Sequence, residues 1–144
     1  MRFLVVLFVI VPIMAVDANA QAADAIYVDG ETVATAFAEG GSLAASENAR
    51  VSVLRRRGPG QSEIHENETD VFYVVDGGGT FVTGGTMIEG SRTGPGQIRG
   101  TGIEGGVVHE LVKGDVIVIP AGTPHWFSEV PQSINYFTVK AISN

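Results

Sequence analysis

From Ala49 onward, short apolar runs alternate with turn signals, and this rhythm limits what the chain can build. The runs are Ala49–Arg55, Glu63–His65, Val71–Asp76, Thr80–Thr83, Val107–Val112, Val116–Ile119, Trp126–Val130 and Ile134–Ala141. Between them stand Gly58-Pro59-Gly60, Gly77-Gly78-Gly79, Gly84-Gly85, Lys113-Gly114-Asp115, Pro120-Ala121-Gly122 and Pro131. Runs of three to eight residues between Gly and Pro clusters read as strands, and strands this closely spaced imply an antiparallel sandwich or barrel. No helical pattern links them, so a parallel α/β sheet is excluded. The one helix expected is Glu31–Glu39, with Val33 and Phe37 four residues apart and a Gly40-Gly41 stop.

Glycine makes up 19 of the 144 residues, and nine of those fall between Gly84 and Gly106. That segment is expected to be an insertion in the barrel, either a long mobile hairpin or a lid over its mouth. The expected organisation is an arm over residues 21–48 and a barrel over 49–144, interrupted by the insertion at 84–106. A hydrophobic content of 44% with 17% charged residues argues against disorder. The net charge of −7 argues against nucleic acid and anionic membranes as partners. Without Cys, disulfides, thiolate metal sites and thiol nucleophiles are excluded.

Arg2 precedes an apolar run from Phe3 to Met14, too short for a membrane span of about 20 residues. Ala18-Asn19-Ala20 then offers small residues at an A-x-A cleavage site. Met1–Ala20 therefore reads as a secretory signal peptide, and the mature chain is expected to be periplasmic or secreted.

Of three histidines, two occupy suggestive positions. Glu63 and His65 alternate onto one strand face, and Asp70 opens the next run after a short connection. His125 follows a Pro/Gly turn at the start of another strand. The spacing Gly114-x5-Pro120-x-Gly122-x2-His125 resembles the second motif of the cupin superfamily, with Glu129 where that motif ends in Asn. Asp70-x6-Gly77 resembles the end of the first motif, with Asp in place of Glu. Four residues back, His65 takes the position of its second His and Glu63 that of its first; the opening Gly is out of register, Gly58 lying one position late. The resemblance spans about Ala49 to Ala141 and implies an all-β fold, a single antiparallel jelly-roll barrel with a short N-terminal helix.

The resemblance further implies a metal site at Glu63, His65, Asp70 and His125. Two imidazoles and two carboxylates suit one divalent ion: zinc, iron, manganese or nickel. If Glu63 only supports its neighbours, His65, Asp70 and His125 form a two-His, one-carboxylate set with open positions. Glu66 and Asn67 compete with Glu63 for its role. His109 alternates with Val107 and Leu111, either as a structural residue or, pointing inward, as the catalytic acid or base. Arg55-Arg56-Arg57 reads as a solvated strand end, and Arg99 as a clamp for a substrate carboxylate if the insertion closes. Phe72, Phe127 and Phe137 are expected to face inward, and Tyr73, Trp126 and Tyr136 to face outward or form a dimer seam. The expected function is an exported metal-binding protein acting on a small oxygen-rich molecule by isomerase, lyase or dioxygenase chemistry. The alternative is a non-catalytic module that binds a small ligand or a metal. A homodimer paired through Val71, Tyr73 and Val75 is expected.

Overall fold

The structure, a computed structural model, describes residues 24–143; the reading of Met1–Ala20 as a signal peptide lies outside them. One helix, α1 (Gly30–Glu39), precedes twelve strands. These are β1 (Gly41–Ala45), β2 (Ala49–Arg56), β3 (Ser62–His65), β4 (Glu68–Thr83), β5 (Thr86–Ile88), β6 (Ser91–Gly94), β7 (Gln97–Gly100), β8 (Gly102–Glu104), β9 (Val107–Val112), β10 (Val116–Ile119), β11 (His125–Glu129) and β12 (Ile134–Ile142). Every pairing is antiparallel. The result is an all-β jelly-roll barrel with one short helix, as expected.

The 16-residue strand β4 is the spine of the barrel. Its first half pairs with β12 and β10, and its second half with β11 and β9. Gly77-Gly78-Gly79 was expected to turn the chain; instead the strand runs through it. These glycines mark where β4 passes from one wall to the other, squeezed between neighbouring backbones. A Cβ on Gly77 would lie 2.0 Å from the Ser133 carbonyl oxygen, and one on Gly78 would lie 2.6 Å from that of Leu111. The apolar core gathers there, with Phe72, Val74, Phe81, Phe127 and Tyr136 all buried.

Helix α1 starts at the Asp29 cap, whose carboxylate accepts from the Glu31 and Thr32 amides. It packs on β1 and β2, setting Phe37 edge-on to Phe137 at 5.0 Å between ring centres. That lid of helix explains a correction. Phe137 faces the helix, while Tyr136, expected outside, is buried inside the barrel at 1% exposure. Because the helix sets Phe37 against Phe137, apolar residues stand on both faces of β12, and hydrophobicity does not mark its inward side. A register shift between Asn135 and Tyr136 adds to the re-aiming.

The Gly-rich insertion is built structure. β6 and β7 form a hairpin that extends the wall beyond β3, and β5 pairs with β8. Its glycines allow close approach: a Cβ on Gly100 would meet the Ile88 carbonyl oxygen at 2.5 Å.

Candidate metal centre

Three strands converge on one point inside the barrel. Glu63 and His65 sit two apart on β3 and so share a face, and His125 on β11 lies directly across from Glu63. The Gly122 amide donates to the His65 carbonyl (2.8 Å), tying β3 to the turn that launches His125. Asp70, on β4, completes the group. His65, Asp70 and His125 are all buried, at 5%, 1% and 4% exposure.

The four side chains aim donor atoms at each other. His65 Nε2 lies 3.3 Å from Glu63 Oε2 and 3.4 Å from Asp70 Oδ2. His125 Nε2 lies 3.8 Å and 3.7 Å from the same two oxygens. Donors on bonds of about 2.1 Å around a tetrahedral ion stand about 3.4 Å apart, so these separations match a shared cation. One donor atom each from Glu63, His65 and His125 falls within 4.8 Å of the others; Asp70 is outside that mutual set and, within the cluster, approaches the two imidazoles only.

The imidazoles are also held in the tautomer that a cation requires. His125 Nδ1 lies 2.9 Å from the Thr123 carbonyl, which can only accept, so Nδ1 carries the proton. Its Nε2 is then a lone pair, and that atom is buried without a hydrogen-bond partner. His65 Nδ1 donates to Gln97 Oε1 at 2.6 Å. The Gln97 amide is oriented by its other end, where Nε2 donates to Glu68 Oε2 at 3.5 Å. Outer partners of this kind orient metal-binding imidazoles and raise their basicity. An orphaned buried lone pair facing two carboxylates fits a bound cation.

Its surroundings hold Glu63 ionised. Burial pushes the Glu63 carboxyl up, but the facing His125 and His65 imidazoles and the nearby Arg99 charge outweigh it, holding the group well below the usual carboxylate range. Asp70 gives its other oxygen, Oδ1, to Lys140 Nζ at 2.6 Å, across the β4–β12 pair. The cluster lines a cavity of about 230 Å³, below the 300–1,000 Å³ of common ligand clefts, so it admits only a small molecule. Its floor is aromatic: Phe72, Phe81, Phe127 and Tyr136. Arg56, Arg99, Trp126 and Lys140 also face it.

The structure thus brings Glu63, His65, Asp70 and His125 together. It leaves His109 outside: that residue does not line the cavity, and its Nε2 lies 2.8 Å from the Thr83 hydroxyl. Glu66 is directed to Arg92 at 2.6 Å and not to the cluster. Trp126, expected outside, borders the cavity and donates from its indole to the Gly60 carbonyl at 2.7 Å. Sequence reasoning missed Arg56, Gln97 and Lys140. Alternation along β2 and β12 was the available signal, placing Arg56 with Ser52 and Leu54, and Lys140 with Tyr136 and Thr138.

A family model described as Cupin matches residues 19–140. No curated protein matches the chain. Among solved structures, the chain is similar to KdgF from Halomonas sp., at 18% identity over 73% of this chain and 80% of that one, with a TM-score of 0.50. It is equally similar to an uncharacterized conserved protein with a double-stranded beta-helix domain from Klebsiella pneumoniae, at 18% identity over 73% and 76%, with a TM-score of 0.50. At these identities the likeness is one of fold.

Proposed function

This chain belongs to the cupin family, and from that premise we propose that it holds one divalent metal ion at Glu63, His65, Asp70 and His125 and acts on a small oxygen-rich molecule in the barrel. The observation that carries this reading is the pair of buried imidazole Nε2 atoms facing two carboxylates, with each Nδ1 anchored behind it. A bound ion would supply Lewis acidity for isomerase or lyase chemistry or, if iron, oxygen chemistry of the dioxygenase kind.

The chain's own residues do the rest. His65 and His125 present lone pairs fixed by Gln97 and the Thr123 carbonyl. Glu63 and Asp70 supply negative charge, and Lys140 holds Asp70 Oδ1 so that Oδ2 stays turned to the imidazoles. The aromatic floor excludes water beneath the site. Tyr136 keeps its phenolic proton, since burial raises its pKa and this outweighs the Arg56 charge nearby, and its oxygen accepts from Arg56 Nε at 3.1 Å.

A second reading, a non-catalytic module binding a small ligand or a metal, is favoured by the same donor set. Four protein ligands leave a tetrahedral ion no open position, and His109 stands away from the cavity as a base. Elemental analysis of the purified protein, followed by assay of the metal-loaded form, separates the two. We expect about one divalent ion per chain. Chelation should lower the melting temperature by several degrees, roughly what removing a ligand worth about 2–3 kcal/mol does in a domain of this size. His65→Ala should abolish both the bound metal and the chelator response. Equal melting curves with and without chelator, together with no bound metal, would overturn the reading.

Two further parts of the proposal concern the whole chain. Met1–Ala20 directs export, so N-terminal sequencing of protein from the periplasm or medium should begin at Gln21. Two chains pair through the outer face of β4 and β10, where Tyr73, Val116 and Val118 are exposed at 47%, 62% and 58%.

A further inference from the structure

The cavity carries more positive charge than its acids can balance, and this defines its ligand. Arg56 and Arg99 reach in from β2 and β7, two strands far apart in sequence. Both approach Glu63: Arg99 Nη1 lies 3.1 Å from Oε2, and Arg56 Nη2 lies 3.6 Å from Oε1. Neither contact is an aligned hydrogen bond, and Arg99 Nη1 is buried with no hydrogen-bond partner at all. Arg56 is held rigidly, its Nε donating to the Tyr136 oxygen and its guanidinium lying 5.3 Å from the centre of the Phe127 ring.

The main cavity merges into a wider recess with which it shares Leu54, His65, Arg99, Thr138 and Lys140. Arg50 and Glu68 line that recess. Together the two are faced by four basic residues (Arg50, Arg56, Arg99 and Lys140) against three acids (Glu63, Glu68 and Asp70). Those four are drawn from only nine basic residues in a chain of net charge −7. A divalent ion on the histidines would raise the local excess to three positive charges. Four cations share three acids here, and partly buried positive charge in excess of its acids is costly, so an excess of this kind calls for an anion.

We propose that the site takes a small organic carboxylate, clamped by Arg56 and Arg99 above the aromatic floor. This rests on the metal reading above. Planar guanidinium forks match a carboxylate's two oxygens, which a neutral hydroxyl or amide does not offer. Inside the barrel, Glu63 is the carboxylate toward which both guanidiniums are already turned. The apolar walls of Leu54, Phe72, Phe81 and Phe127 suit the carbon part of the ligand.

The test is calorimetric titration of the full chain, loaded with zinc, with lactate, succinate and benzoate and with their neutral amides. At least one carboxylate should bind about tenfold or more tightly than its amide, the effect of a charged hydrogen-bonded pair. Arg56→Gln and Arg99→Gln should each erase that preference while leaving zinc stoichiometry unchanged, and Arg99→Lys should restore part of it. Carboxylates bound no better than amides, or a preference that survives both Gln variants, would overturn the proposal, as would inorganic phosphate bound more tightly than every carboxylate. If the protein takes up no zinc, the metal reading fails and the ligand class is read separately. Metal-free Glu63→Gln, in which both guanidiniums lose their internal carboxylate, should then still prefer carboxylates to amides, and its indifference would overturn the carboxylate assignment.

Discussion

Gln97 lies 34 residues beyond Glu63 in the chain, yet it decides how His65 is presented. Its carbonyl oxygen accepts from His65 Nδ1, and its amide nitrogen is held by Glu68. Gln97→Leu should therefore leave the ligands in place but free the ring to rotate and change tautomer. We expect metal affinity to fall about 10–100-fold, the usual effect of losing such a partner. Competition with a fluorescent chelator reads this directly, and an unchanged dissociation constant would show that Gln97 is only structural. At this scale, the cluster of candidate ligands was legible because strand alternation and a Pro/Gly turn fix where Glu63, His65 and His125 point. Gln97, Arg56 and Lys140 were not. Each looks like a surface residue in its own segment, and pairing with a distant strand is what brings it to the cavity.

Among elements, β4 and α1 carry the clearest consequences. Gly77 has φ +75°, and its position leaves no room for a Cβ beside the Ser133 carbonyl. Gly77→Ala should destabilise the protein by at least about 3 kcal/mol, adding left-handed strain to a backbone clash. Chemical denaturation measures it, and a loss under about 1 kcal/mol would mean that β4 can bend elsewhere. Hydrogen bonds from the Thr32 backbone and side chain hold the Asp29 carboxyl below its ordinary value of 3.8. A pKa lowered by folding stabilises the helix fully above the unfolded value, and that contribution is lost as pH falls through the folded one. Amide exchange at Glu31 and Thr32, corrected for its intrinsic pH dependence, should lose protection as pH drops below 4. Asp29→Ala should remove the dependence. The helix was legible from its period and its Gly stop. The strand through Gly77-Gly78-Gly79 was not, because a triple glycine signals a turn and close backbone approach with the same letters.

Across the whole molecule, β9 and β10 run end to end along β4, and among the described residues each pairs with β4 alone. Val116 and Val118 lie opposite Tyr73 and Val71 of β4, so the exposed apolar face is wider than Val71, Tyr73 and Val75 alone. Val118→Glu should shift sedimentation from dimer to monomer without changing metal content; a wild-type chain that sediments as a monomer would refute the proposed seam. The turn rhythm, the absence of Cys and the spacing around His65 and His125 were enough to determine an all-β barrel and the residue types at its centre, because turns and strand alternation are local properties of the chain. What covers each strand was decided by tertiary structure alone. Helix α1 takes Phe137 on the outer side of β12, and Tyr136, Arg56 and Lys140 face the cavity. The Gly-rich insertion becomes the wall that supplies Gln97 and Arg99. These placements depend on pairings between segments tens of residues apart, and no local pattern encodes which face such a pairing will bury.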